Sequence, residues 1–117
     1  MMECDIADLL RHHRYPHTDE KQLQDGIEKV LQSCGIDYRR EVRLTAQDRP
    51  DFMVGTVAIE VKIKGPFIHV LRQLIRYAEH EQVTGLVLVT TKASHLNMPA
   101  KLHGKPVVVA SLMEGAF

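Results

Sequence analysis

Two carboxylates and a lysine are the residues of this sequence best suited to chemistry. Asp51 precedes a short apolar segment, and Glu60 and Lys62 close it. A pair of carboxylates with few other ligands suits a hard divalent cation, Mg²⁺ or Mn²⁺. A lysine beside them could orient a water molecule or stabilise negative charge on a phosphate. The alternative is an ordinary surface strand, in which Glu60 pairs with Lys62 or Lys64 and Asp51 only begins a turn.

A hairpin would bring the two carboxylates together. Gly55-Thr56 fits a two-residue type II′ turn between strands at 51–54 and 57–64, and this register places Asp51 opposite Glu60. Opposed like charges destabilise a sheet unless a cation or a proton lies between them. Alternation then predicts one chemical face and one apolar face. The chemical face holds Asp51, Met53, Ala58, Glu60, Lys62 and Lys64, and the apolar face holds Phe52, Val54, Val57, Ile59, Val61 and Ile63.

The remaining periodicities predict the elements around this hairpin. Apolar residues at helical spacing indicate helices at about 19–34 and 67–81, and a shorter one at Asp5–His13. Thr18 is the expected N-cap of helix 19–34, Cys34 is expected on its buried stripe, and Gly35 is expected to end it. Further strands are predicted at 38–45, Leu86–Val89 and Val107–Val109. The predicted fold is therefore α/β, a mixed sheet flanked by helices in the order α-β-β-β-α-β-β.

Length and composition exclude several classes of protein. The 117 residues predict a single domain, 1–117, in which 1–17 form an N-terminal helical extension. With 44% hydrophobic and 26% charged residues, the chain resembles ordinary globular proteins rather than disordered ones. Cys4 and Cys34 form no CxxC pair, and no apolar run is long enough for a membrane span. We therefore expect a cytoplasmic protein without disulfides or membrane segments.

The distribution of charge is uneven although the acidic and basic residues balance at 15 each. Among the charged residues, acidic ones outnumber basic ones in residues 1–60, and basic ones outnumber acidic ones in residues 61–105. The basic half could face phosphates while the acidic half supplies metal ligands. His12, His13 and His17 could form a metal site or a DNA-contacting arm, although a polar surface segment is the simpler interpretation.

Pro50-Asp51, eight intervening residues and Glu60-Val61-Lys62 resemble the signature of the PD-(D/E)XK nuclease superfamily. The resemblance covers residues 18–91 and includes the order of the elements. It implies a restriction-endonuclease-like fold and metal-dependent hydrolysis of phosphodiester bonds. It also implies that Asp51 and Glu60 bind the metal, that the Val61 carbonyl is a further ligand, and that Lys62 lies near the nucleophilic water.

Three more residues are candidates because of this resemblance. Members often carry an acidic residue on the first helix, and Glu20, on the same stripe as Ile27, is the candidate for a further metal ligand. Gln73 and Tyr77 are similar to a Gln-x3-Tyr motif of the RecB-like branch, where the pair lies near metal and DNA. For Glu20, the alternative is an acidic residue that only stabilises the N-terminus of its helix. For Gln73 and Tyr77, the alternative is an ordinary helix flank.

The expected function is that of a Mg²⁺-dependent deoxyribonuclease. Lys64, Arg72 and Arg76 are expected to contact DNA phosphates, although each could equally belong to a solvated rim. A homodimer that places two sites on one duplex is compatible with this size. The alternative function is a catalytically silent module with the same fold that binds nucleic acid or serves assembly.

Overall fold

A mixed six-stranded sheet with helices on both faces forms the structure, a computed structural model that describes residues 2–15 and 19–112. The helices are α1 (Glu3–Arg11), α2 (Glu20–Ser33) and α3 (Phe67–Ala78). The strands are β1 (Arg39–Arg40), β2 (Phe52–Val54), β3 (Val57–Lys62), β4 (Gly85–Thr90), β5 (Lys101–Leu102) and β6 (Lys105–Ser111), and a 3₁₀ helix spans Ala93–Asn97. The α/β class is as the sequence predicts, with β5 and the 3₁₀ helix as additions.

The sheet order is β1-β2-β3-β4-β6-β5. The strands β1 to β3 are antiparallel, β3 pairs parallel with β4, and β4 pairs parallel with β6. The predicted register of the hairpin is confirmed, since Val54 faces Val57 and Phe52 faces Ile59. Gly55 has a φ of +57°, the left-handed value that a type II′ turn requires of its first central residue.

Alternation along the central strands divides the apolar residues between two cores. The predicted apolar face of the hairpin packs under α1 and α2, with Ile59 and Val61 fully buried. The opposite face is not an open chemical surface, because Met53 and Ala58 are buried under α3. Only the end of that face, from Glu60 onward, is left for polar residues.

The boundaries of α2 have identifiable causes. Asp19 is its N-cap, and the Asp19 carboxylate accepts a hydrogen bond from the Gln22 amide at 2.8 Å. Gly35, with a φ of +68°, follows the helix, and the Ile36 amide donates to the Leu31 carbonyl at 3.0 Å.

The predicted cap Thr18 lies outside the described residues, as do Pro16 and His17. The prediction that Cys34 is buried is wrong, because the helix has already ended and the thiol is exposed.

The predicted strand at 38–45 is much shorter in the structure. It ends at Arg40 because Glu41 adopts a φ of +52°, which no strand residue has. The alternating residues Val42 and Leu44 are half-buried against the α3 core, as predicted for their apolar side, but they belong to a loop. We call residues 41–51 the 41–51 loop. Similarly, α3 ends at Ala78 rather than at 81.

The N-terminal helix packs directly on the sheet. Ile6, Ala7 and Leu10 of α1 are fully buried in the core that α1 shares with α2. Among the described residues, none of the helices combines the length and apolar character needed to cross a bilayer.

Candidate active site

Asp51 and Glu60 meet where β2 begins and β3 ends. The Asp51 amide donates to Glu60 Oε1 at 3.4 Å, and Asp51 Oδ2 accepts from the Val61 amide at 2.8 Å. The hairpin register thus brings both carboxylates to one point, because each is one residue beyond Phe52–Ile59, the last pair of β2 and β3. The cross-strand juxtaposition expected from the sequence is present.

Burial makes the charges on this pair costly. Glu60 is only 3% exposed. Burial is the main cause that raises the pKa of Glu60, and the negative charge of Asp51 raises it further. Burial also raises the pKa of Asp51, against the lowering effect of the Val61 amide. A proton or a cation is therefore favoured at this point of the structure.

Lys62 and Tyr77 both contact Glu60. Lys62 Nζ lies 3.6 Å from Glu60 Oε2, and the lysine side chain is 27% exposed, so it is partly accessible to solvent. The Tyr77 hydroxyl donates to Glu60 Oε1 at 3.0 Å from the buried face of α3. Burial and the charge of Glu60 raise the pKa of Tyr77, which keeps the phenol protonated as a donor. Tyr77 is fully buried, and its hydroxyl points at the carboxylate of Glu60.

Glu20 reaches the same end of β3 from the first turn of α2. Glu20 Oε1 accepts from the Ile63 amide at 3.2 Å, and the charge of Glu20 contributes to the raised pKa of Asp51. Glu28 and Asp25, also on α2, point elsewhere, since both pair with Arg40. The structure therefore brings Glu20 to the neighbourhood of Asp51.

The other predicted residues lie around this centre rather than in it. Gln73 is half-buried one helical turn before Tyr77. Arg72 and Lys64 are exposed, whereas Arg76 is held by Asp48, with Nε 2.9 Å from Oδ1. The roles of these three cations in binding DNA stay predictions.

Asp48 is the residue that sequence reasoning missed. It is 6% exposed although it lies in a polar loop, and its carboxylate accepts from Arg76 Nε and contacts His80 Nε2 at 3.0 Å. Its backbone carbonyl also accepts from the Leu44 amide at 2.8 Å. Asp48 therefore fastens the 41–51 loop to α3. Periodicity gave no signal, because an irregular loop has none.

A second unforeseen network holds the segment after β3. His95 is fully buried, with Nδ1 3.0 Å from Thr90 Oγ1 and Nε2 3.1 Å from the Gly65 carbonyl. Lys92 Nζ donates to the same carbonyl at 2.9 Å. These contacts fix the turn between Lys62 and α3 against the end of β4.

The donors at the centre fit a hard divalent cation. They are carboxylate oxygens: Asp51 Oδ2 accepts from the Val61 amide, Glu60 Oε1 accepts from the Tyr77 hydroxyl, and Glu60 Oε2 faces Lys62. Within residues 2–15 and 19–112, no three His, Cys, Asp or Glu side chains are grouped closely enough to hold a metal ion together. Asp51 and Glu60 would therefore be the main ligands of a cation here, and Glu20 and the Val61 carbonyl as further ligands stay predictions.

No protein-family model, no curated protein and no solved structure matches this chain.

Proposed function

We propose that this protein is a Mg²⁺- or Mn²⁺-dependent deoxyribonuclease that hydrolyses phosphodiester bonds, with a restriction-endonuclease-like fold. One observation carries the proposal. Glu60 is buried beside the half-buried Asp51, and Lys62 Nζ lies 3.6 Å from the Glu60 carboxylate on a side chain that is 27% exposed. A module that only binds nucleic acid has no need of two adjacent, poorly solvated carboxylates, which cost stability unless a proton or a cation lies between them.

The proposed role of each residue follows from its contacts in the structure. Asp51 and Glu60 would hold the cation, with Glu20 close enough to add negative charge. When bound, the cation supplies stabilisation of the charge that develops on the phosphate. Tyr77 positions Glu60 by donating to Oε1. The Lys62 ammonium can donate to the attacking water or to a phosphate oxygen, because it is partly exposed.

Substitution of Lys62 by alanine tests the catalytic role. A protonated lysine cannot bind a cation, so Lys62→Ala should remove cleavage and leave most of the DNA binding. Loss of one preorganised charge typically lowers a rate by about 100-fold or more. The measurement is cleavage of supercoiled, linear and four-way-junction DNA in Mg²⁺, Mn²⁺ or EDTA.

Lys29→Ala is the matched control, because Lys29 is exposed on α2 and contacts none of these residues in the described structure. If wild type binds DNA with a steep salt dependence and cuts none of the substrates with either metal, the protein is a binding module. If Lys29→Ala loses as much cleavage as Lys62→Ala, the assignment of Lys62 is wrong.

A further inference from the structure

A polar groove lies between the 41–51 loop and α3. One part is a depression of about 260 Å³ lined by Arg43, Ala46, Gln47, Arg49 and Gln73. A neighbouring depression of about 320 Å³ is lined by His69, Arg72, Gln73 and Arg76. Gln73 lines both, so they adjoin along one side of α3. We call the first depression, with its two arginines, the arginine groove.

The chemistry of the arginine groove favours an anion. Its described lining consists of two guanidinium groups, two amides and one methyl group, without a carboxylate. Glu41 lies 3.8 Å from Arg49, but both side chains are about half exposed, and such a pair contributes little. Arg43 donates to the Ala46 carbonyl at 3.4 Å, a long bond that a stronger acceptor can replace. Guanidinium groups bind phosphate in a bidentate manner.

The groove adjoins the carboxylate centre through two connections. The Glu41 amide donates to the Asp51 carbonyl at 2.8 Å, so the 41–51 loop begins and ends beside the centre. Gln73 lies one helical turn from Tyr77, which bonds to Glu60, and residues so spaced are about 5–6 Å apart. Asp48 holds the two walls together through Arg76 and His80. The distance between groove and centre is therefore fixed by the fold.

We infer that the arginine groove binds a backbone phosphate of the DNA strand, close to the phosphate that is cut. The inference rests on the proposed function for its substrate, and the residues Arg43 and Arg49 come from this chain's own loop. The lining offers no aromatic ring on which a base could stack. Contact is therefore with the backbone and independent of base sequence, which orients the strand over the carboxylates.

Binding measurements without catalysis test this inference. The probe is a fluorescently labelled DNA duplex, titrated with Arg43→Gln, Arg49→Gln and the double variant in EDTA over a range of salt concentrations. Each phosphate contact contributes about 0.9 to the slope of log affinity against log salt concentration. Because both arginines contact the same phosphate, we expect the double variant to lower that slope by about one and each single variant to lower it by less.

Arg14→Gln is the matched control, because Arg14 is an exposed arginine next to Tyr15, which packs in the core on the other face of the sheet. The inference is overturned if wild type does not bind the duplex, if the double variant binds like wild type, or if Arg14→Gln has the same effect. Cleavage by wild type together with unchanged binding by the double variant would reject the groove and keep the nuclease. Groove-dependent binding without cleavage in Mg²⁺ or Mn²⁺ would reject the nuclease and keep the groove.

Discussion

Individual residues at the carboxylate centre carry the strongest sign of function. Glu60 is buried beside the half-buried Asp51, and its own burial together with the charge of Asp51 raises the pKa of Glu60. Lys62 at 3.6 Å offsets only part of this cost, since its side chain is partly solvated. Natural proteins place such costly charge pairs at sites of binding or catalysis, where a ligand compensates them.

Substitution of Asp51 by asparagine should stabilise the protein in the presence of a chelator. A carboxyl whose pKa is raised on folding contributes stability below its unfolded pKa of about 4, and this contribution is lost as pH rises through the folded pKa. The variant should therefore be more stable than wild type at neutral pH by about 1–3 kcal/mol, and the difference should shrink toward pH values of about 4. Thermal unfolding at several pH values in EDTA measures it.

Addition of Mg²⁺ or Mn²⁺ completes this experiment. Wild type should gain thermal stability from the metal, since a cation relieves the repulsion between Asp51 and Glu60, and Asp51→Asn should not respond. An identical metal response in both proteins would show that Asp51 is not a ligand.

Removal of the negative charge of Glu20 should lower the rate of cleavage and leave the stability of the fold nearly unchanged. Glu20→Gln keeps an oxygen that can accept from the Ile63 amide, and it removes the negative charge near Asp51. We expect cleavage to fall by about tenfold or more with little change in melting temperature. Glu81→Gln, on an exposed turn, is the control. Equal cleavage rates for the two variants would remove Glu20 from the site.

Among the elements, the 41–51 loop depends most on a single anchor. Asp48 is buried against α3, and its contacts with Arg76 and His80 join the loop to the helix. Burial alone would raise the pKa of Asp48, but the hydrogen bonds from Arg76 and His80 outweigh it and lower the pKa. The loop is therefore held by a charged carboxylate, and it supplies four of the five residues that line the arginine groove.

Loss of this charge should loosen the loop. Asp48→Asn should lower the free energy of unfolding by about 1–2 kcal/mol at neutral pH, because a hydrogen-bonded buried charge is lost. A carboxyl with a lowered folded pKa stabilises above its unfolded pKa of about 4 and loses this effect as pH falls, so the two proteins should converge in acid. Chemical unfolding at two pH values measures this, with exposed Asp37→Asn as control. A difference that persists in acid would contradict the role of the charge.

The whole molecule is arranged in layers, with α1 and α2 on one face of the sheet and α3 on the other. The carboxylate centre lies at the edge of the α3 layer, and α2 also reaches it through Glu20. Both layers must therefore be in place before the site is complete. In particular, α1 contributes to the core that positions α2.

Removal of one buried side chain of α1 tests this dependence. Leu10 is fully buried, so Leu10→Ala should destabilise the protein by about 2–5 kcal/mol. Leu96→Ala, at a leucine that is 43% exposed, should change stability by less than about 0.5 kcal/mol. Urea unfolding of both variants gives the comparison, and equal stabilities would mean that α1 is dispensable to the fold.

Local sequence patterns are sufficient to predict the helices, the hairpin register and the proximity of Asp51 to Glu60. These features depend on neighbours along the chain, since a two-residue turn with Gly55 sets the pairing and a 3.6-residue period sets the helix faces. Only long-range packing explains why β1 ends at Arg40, why Asp48 is buried and which partners His95 contacts. Each of these depends on partners distant in sequence, whose packing overrides local pattern, so no periodicity could reveal them.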